Sequence, residues 1–114
     1  MAIAVTATKN AMCTTYSTQG NYISLHTADP GSTGANEATG GTPAYARVQT
    51  TWGTAASSQI SGSQVTINVP AGTYAYAGIW TALTGGNFVD KVAISSTTLG
   101  SQSTLLITPT FSMT

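Results

Sequence analysis

The sequence predicts a mainly β fold, a small antiparallel β-sandwich or barrel with one short N-terminal helix. Three observations carry this expectation. Runs of β-branched and aromatic residues recur roughly every ten residues between Gly, Pro, Asn and Ser turn signals. Several runs alternate apolar with hydroxyl-bearing residues at a period of two, the pattern of a strand with one buried face. The chain has 114 residues, room for one core, so residues 1–114 read as one β-rich domain.

From Thr6 to Tyr16, Ala7, Ala11, Met12 and Tyr16 recur near a helical period, with Thr6 or Thr8 available as a cap; this is the helix. Gln19-Gly20-Asn21 reads as a turn, and Tyr22 to Thr27 as a strand in which Ile23 and Leu25 alternate with Ser24 and His26. Residues 28–42 hold Pro30, Gly31, Gly34, Gly40 and Gly41, so they form a long loop. Within it, Asp29-Pro30-Gly31 is a turn in which proline fixes φ and glycine accepts the positive φ that follows. Ala44 to Trp52 reads as a strand, Gly53 to Ser58 as a connection, and Gln64 to Val69 as a strand with Val65, Ile67 and Val69 on one face.

Pro70-Ala71-Gly72 turns the chain into Thr73 to Ala82, which places Tyr74, Tyr76 and Trp80 on one side and Ala75, Ala77 and Ile79 on the other. Such a strand suits a position between two layers. Gly85-Gly86-Asn87 turns into Phe88 to Ile94, and Thr97 to Gly100 turns again. Last, Leu105, Ile107, Pro109, Phe111 and Met113 alternate with Thr104, Leu106, Thr108, Thr110 and Ser112. Pro109 cannot donate a ladder bond, so this run is an edge strand or one that pairs on a single side there, packed on its own core or laid onto a neighbouring subunit.

Charged residues are 5% of the chain and the net charge is zero. With Lys9, Arg47 and Lys91 as the cations and no basic run, neither nucleic acid nor an anionic membrane is an expected partner. No apolar run approaches a membrane span, and no basic segment followed by an apolar one marks a signal peptide. A neutral, hydroxyl-rich surface suits a component of an assembly; a secreted Thr-rich β-domain has the same composition. The single Cys13 beside Met12 reads as a buried, inert thiol.

Four of the seven Asp, Glu, Lys, Arg and His side chains, namely His26, Asp29, Glu37 and Arg47, fall in one segment. Specific polar contacts are therefore expected there. Arg47 suits a carboxylate fork that pins the loop to the sheet, or contact with a partner, and His26 suits a hydrogen bond to the loop that follows it. With Tyr45, these residues form a loop-stabilising or interface cluster. A Ser-His-Asp reading of His26 with Asp29 and Ser24 or Ser32 lacks a nucleophile elbow, so no catalytic residue is expected. Asp29, Glu37 and Asp90 are too few for the usual calcium loop, and one His with one Cys makes no structural zinc site; no metal or cofactor is expected.

The segment Ser24-Leu25-His26-Thr27-Ala28-Asp29-Pro30-Gly31, with Thr33-Gly34-Ala35-Asn36-Glu37 and Pro43-Ala44-Tyr45-Ala46-Arg47, resembles small virion proteins of tailed bacteriophages. Trp52-Gly53, Val69-Pro70-Ala71-Gly72-Thr73 and Gly78-Ile79-Trp80 extend the resemblance to about residue 90. That family is described variously as tail-fibre-like, minor tail or head-decoration protein, so the resemblance implies a place in the virion more firmly than it implies which part. Without shaft repeats or heptads, a capsid decoration (cement) protein is the first expectation. Its partners would be the major capsid protein and copies of itself, with a trimer permitted by the resemblance. A minor tail or tail-fibre-associated protein in host adhesion is the alternative. The second candidate contact, after the loop cluster, is strands donated to a neighbour: Ala2 to Val5, and Leu105, Ile107, Phe111 and Met113.

Overall fold

A computed structural model describes residues 4–113. It is mainly β, with one helix, α1 (Thr6–Gln19), followed by eight strands: β1 (Tyr22–His26), β2 (Val48–Gln49), β3 (Gln59–Ser61), β4 (Val65–Val69), β5 (Gly72–Trp80), β6 (Phe88–Leu99), β7 (Ser103–Ile107) and β8 (Thr110–Ser112). A four-stranded antiparallel sheet runs β2-β1-β5-β6, and β3-β8 and β4-β7 form two separate antiparallel pairs.

The period-two pattern of β1 decides what each face of the large sheet meets. Ile23 lies opposite Ile79 and Leu25 opposite Ala77. These side chains pack with Val65, Ile67 and Val69 of β4, and with Leu105 and Ile107 of β7, in one core. Sheet on strand pair is thus a sandwich, with each fully buried aliphatic side chain contributing about 1.5–3 kcal/mol. The other face carries the pairs Tyr22–Trp80, Ser24–Gly78 and His26–Tyr76. It is covered by the loop between β1 and β2.

Several expectations meet a different outcome. The helix runs on to Gln19, and its N-cap is Val5, without a side-chain cap bond from Thr6 or Thr8. Ala7, Ala11 and Met12 are exposed; the helix buries Cys13 and half-buries Tyr16, because that side meets β3 and β8. Of the run from Ala44 to Trp52, only Val48–Gln49 is strand. A short strand, β3, stands where the sequence shows no alternation. The register between β5 and β6 slips between Tyr74 and Tyr76, and Tyr74 joins the core with its hydroxyl bonded to the Pro70 carbonyl at 2.8 Å, apart from Trp80. The same slip lets β6 continue to Leu99 where a turn was expected from Thr97.

The final alternating run is two strands. Residues 103–107 pair with β4 and residues 110–112 with β3, and the change of partner falls at Thr108-Pro109. Leu105 and Ile107 pack against the core, Phe111 stacks on Tyr16 with ring centroids 3.8 Å apart, and the Met113 amide donates to the Ser58 carbonyl. Of Ala2 to Val5, Ala2 and Ile3 lie outside the described residues; Ala4 and Val5 are exposed.

Candidate functional site

The site begins where β2 ends. Since β2 pairs with only Tyr22 and Ile23, the rest of β1 needs other main-chain partners. The loop supplies them: Ala38 N–H donates to the Leu25 carbonyl at 2.9 Å, Thr27 N–H donates to the Asn36 carbonyl at 3.0 Å, and the Tyr45 hydroxyl accepts from Leu25 N–H at 3.2 Å. His26 and Glu37 face each other in a bridge, so residues 36–38 prolong the sheet beside β1. The turn at Asp29 is closed by the Gly31 amide donating to Asp29 Oδ1 at 2.8 Å, with Gly31 at φ 62° and Pro30 fully buried.

Arg47 fastens this loop. Its Nε and Nη2 donate to Glu37 Oε2 and Oε1, each at 2.9 Å, a bidentate fork. Its Nη1 donates to the carbonyls of Ala82 and Gly85, at 3.0 and 2.8 Å, in the connection between β5 and β6. The guanidinium carbon lies 3.6 Å from the centre of the Trp80 ring, a cation–π contact on a side chain only 8% exposed. Tyr45 completes the cluster by donating to Glu37 Oε2 at 2.7 Å. Burial alone would raise the Glu37 carboxyl; the bonds from Arg47 and Tyr45 outweigh it and hold the group below its ordinary value. Burial and the Glu37 carboxylate together push the Tyr45 phenol far up, so it stays protonated.

Beneath the loop a second chain of bonds has its proton positions fixed by its ends. His26 Nδ1 lies 2.8 Å from the Ala35 carbonyl, which can only accept, so Nδ1 carries the hydrogen. The Ser24 hydroxyl, 2.7 Å from His26 Nε2, then donates to it, and Trp80 Nε1–H donates to Ser24 Oγ at 3.0 Å. This order requires a neutral imidazole. Burial lowers the His26 pKa, against the pull of the Ala35 carbonyl and Glu37. Gly78 leaves space for the meeting: a Cβ there would lie 2.7 Å from Ser24 Oγ and Phe88 Cε1 and 2.9 Å from His26 Nε2.

Of the sequence candidates, His26, Glu37, Tyr45 and Arg47 come together. Asp29 does not join Arg47; it pairs with Lys91 on the exposed surface, and that bond holds its carboxyl below the ordinary value. The Ser24–His26 bond has the form of a nucleophile and its base. Both side chains are fully buried, however, and the far imidazole nitrogen meets a carbonyl, with Asp29 directed elsewhere. Among the described residues, no three of His, Cys, Asp and Glu are grouped to hold a metal ion. Ser24, Trp80 and the carbonyls at Ala82 and Gly85 were missed as members of the site. The alternation of Ser24 and His26 on one strand face, with glycine opposite, was the available signal.

A polar cluster with every charge tied to the scaffold, holding a loop over a neutral β-sheet, defines a structural module whose fixed parts serve shape. The family model of Podophage GP4 fiber I protein gp80 matches residues 4–111, from the start of the described chain into β8, and the chain belongs to this family. It is thus a structural protein of the phage virion. No curated protein and no solved structure matches it.

Proposed function

We propose that the chain is a structural subunit of the fibre apparatus on the tail of a podophage, where it serves as a connecting or scaffolding module. The observation that carries this reading is the match to a fibre protein over residues 4–111, which runs from α1 through β7 and into β8. The geometry agrees with a scaffolding task. Trp80, which could have offered a sugar a stacking surface, is buried under Arg47, and Trp52 is half-buried, with its Nε1 donating to the Gly20 carbonyl and its ring edge-on to Tyr16. A glycan-binding platform needs exposed aromatic faces. Host adhesion would then belong to other chains of the fibre.

Capsid decoration, with the major capsid protein as partner, is the second reading, favoured by the neutral surface and the want of shaft repeats. Immunogold labelling of intact virions with antibody to this chain separates the two. Label on the tail supports the fibre reading, and label spread over the head replaces it with the cement protein. In either position docking rests on apolar and main-chain contacts, so moderate salt should leave the chain on the particle.

A further inference from the structure

The core face of β6 carries a carboxylate. Asp90 stands opposite Ile79 and Val92 opposite Ala77, and both of these β5 residues pack into the core, so Asp90 and Val92 share the inner face of the sheet. The sandwich is open there. Val92 is 59% exposed, and a groove of about 410 Å³ runs past it, with Tyr16, Trp52, Asp90, Ile107 and Phe111 also in its lining.

Asp90 is held from two sides. Its Oδ2 accepts from the Tyr16 hydroxyl at 2.8 Å and its Oδ1 from the Lys91 N–H at 2.9 Å. Burial and the neighbouring carboxylate push the Tyr16 phenol far up, so it remains a donor. Tyr16 is fixed in turn by Phe111, stacked on its ring, and by Trp52, edge-on to it. The carboxylate is therefore oriented, yet its charge is unanswered. Of the three Asp and Glu side chains, Glu37 is paired with Arg47 and Asp29 with Lys91; among the described residues no ion pair reaches Asp90. Each of its oxygens accepts one bond from the described residues and has capacity for another.

We propose that the groove receives a basic side chain, lysine or arginine, of an adjoining virion protein, with its charged head on Asp90 and its methylene stem along Val92 and Phe111. Charge complementarity selects the head. An ammonium or guanidinium gives the carboxylate a charge-assisted bond, whereas an acidic group would be repelled. The apolar and aromatic walls select the stem, since lysine and arginine lay their methylenes on such surfaces. An ion pair enclosed in this way is screened little by moderate salt, in keeping with docking that salt does not release. A second copy of this chain is poorly equipped to supply the cation. Its Arg47 and Lys91 are spent on Glu37 and Asp29, and Lys9 is half-buried on α1. The proposal rests on the reading of the chain as a docked component of the virion and names the chemistry of its partner; the labelling experiment locates the chain and leaves the groove to a separate test.

The test titrates the purified chain with n-butylammonium and n-butylguanidinium, which carry the head and stem of the two side chains, and with n-butanol and butyrate as neutral and anionic counterparts. Amide shifts in the nuclear magnetic resonance spectrum are the readout. The expected result is saturable shifts in residues 88–94 and 107–112 at millimolar cation, with butanol and butyrate binding roughly tenfold more weakly or not at all. Asp90→Asn keeps an acceptor for the Tyr16 hydroxyl, and should bind the cations roughly tenfold or more weakly while circular dichroism and the urea midpoint stay close to the parent. Val92→Lys, at an exposed position on the same face, should fill the site from within and remove the response as well, which keeps the test decisive if the first variant folds poorly. A parent that takes the cations no better than butanol overturns the proposal, as does binding undiminished in both variants. Sedimentation of the parent is the last arm: self-association abolished by Asp90→Asn and by Lys9→Ala alike would make a second copy the source of the cation and overturn the assignment to another protein.

Discussion

The two faces of the central sheet are finished to different degrees. On the loop side every polar group of the cluster has a partner, and the loop is tied to β1, to the β5–β6 connection and to the Trp80 ring. On the core side the sandwich is closed near β1 and β4 but open along β6 and β7, with Val92 left to solvent. One face is complete within the chain, and the other has room for something more. Polar, directional contacts hold the part that must keep its shape. An apolar, main-chain surface is left where an association could form.

The comparison breaks most sharply at Arg47. Arg47→Ala should leave the Glu37 carboxylate unpaired, two carbonyls without donors and the Trp80 face uncovered, at a cost of about 3–5 kcal/mol, read as a fall in the urea unfolding free energy. Arg47→Lys keeps the charge but loses the fork, so most of that loss should persist. An unchanged midpoint in the alanine variant would mean that the loop is held by its main-chain bonds alone.

Next in size is Gly78→Ala. The added methyl meets Ser24, His26 and Phe88 at closer than contact distance, with an expected loss of about 1–3 kcal/mol in the same measurement.

A smaller effect should come from pH. The His26 pKa is lowered by folding, so the unfolded chain takes up the proton first. The stability this residue supplies is complete above about pH 6.5, its ordinary value, and is lost progressively as pH falls toward its folded value. Glu37, also lowered, adds a second decline below about pH 4.5. Urea midpoints measured from pH 8 down to 4 should show the first decline in the parent chain and not in His26→Gln, whose midpoint at pH 8 should already be lower.

The smallest expected effect is at Lys91→Ala. Its pair with Asp29 lies in solvent, and the thermal midpoint should not move measurably. A clear drop would show that the exposed turn at Asp29 is part of the locked loop.

Much of the fold could be read from residue pattern. The alternation in β1 and β4 set their buried faces, and the turn at Gly31 took the positive φ its chemistry requires. Pattern failed where partners are distant. The helix itself was legible, but its buried side was not, because alanines at a helical period resemble an apolar face, whereas burial is set by the side that meets β3. The Thr14, Thr15, Ser17 and Thr18 hydroxyls bond back to carbonyls of their own helix, which lets the remaining sides face water. The alternation from Leu105 to Met113 ran unbroken through a change of partner that only the spatial arrangement reveals. In the site, residues close in sequence were recognisable as a cluster. Trp80 and the carbonyls at Ala82 and Gly85 were not, since the contact with Arg47 spans some 35 residues of chain.

The division of residues 103–112 between β4 and β3 also sets an order of events during synthesis. Both earlier strands wait for these late residues, so the layer opposite the large sheet cannot form until they have left the ribosome. A chain interrupted before Ser103 would leave β4 without its strand partner and the core without Leu105 and Ile107. Exposed apolar surface and unpaired strands are the features that make an incomplete chain prone to aggregation, so residues 103–112 decide whether the earlier ones are safely buried.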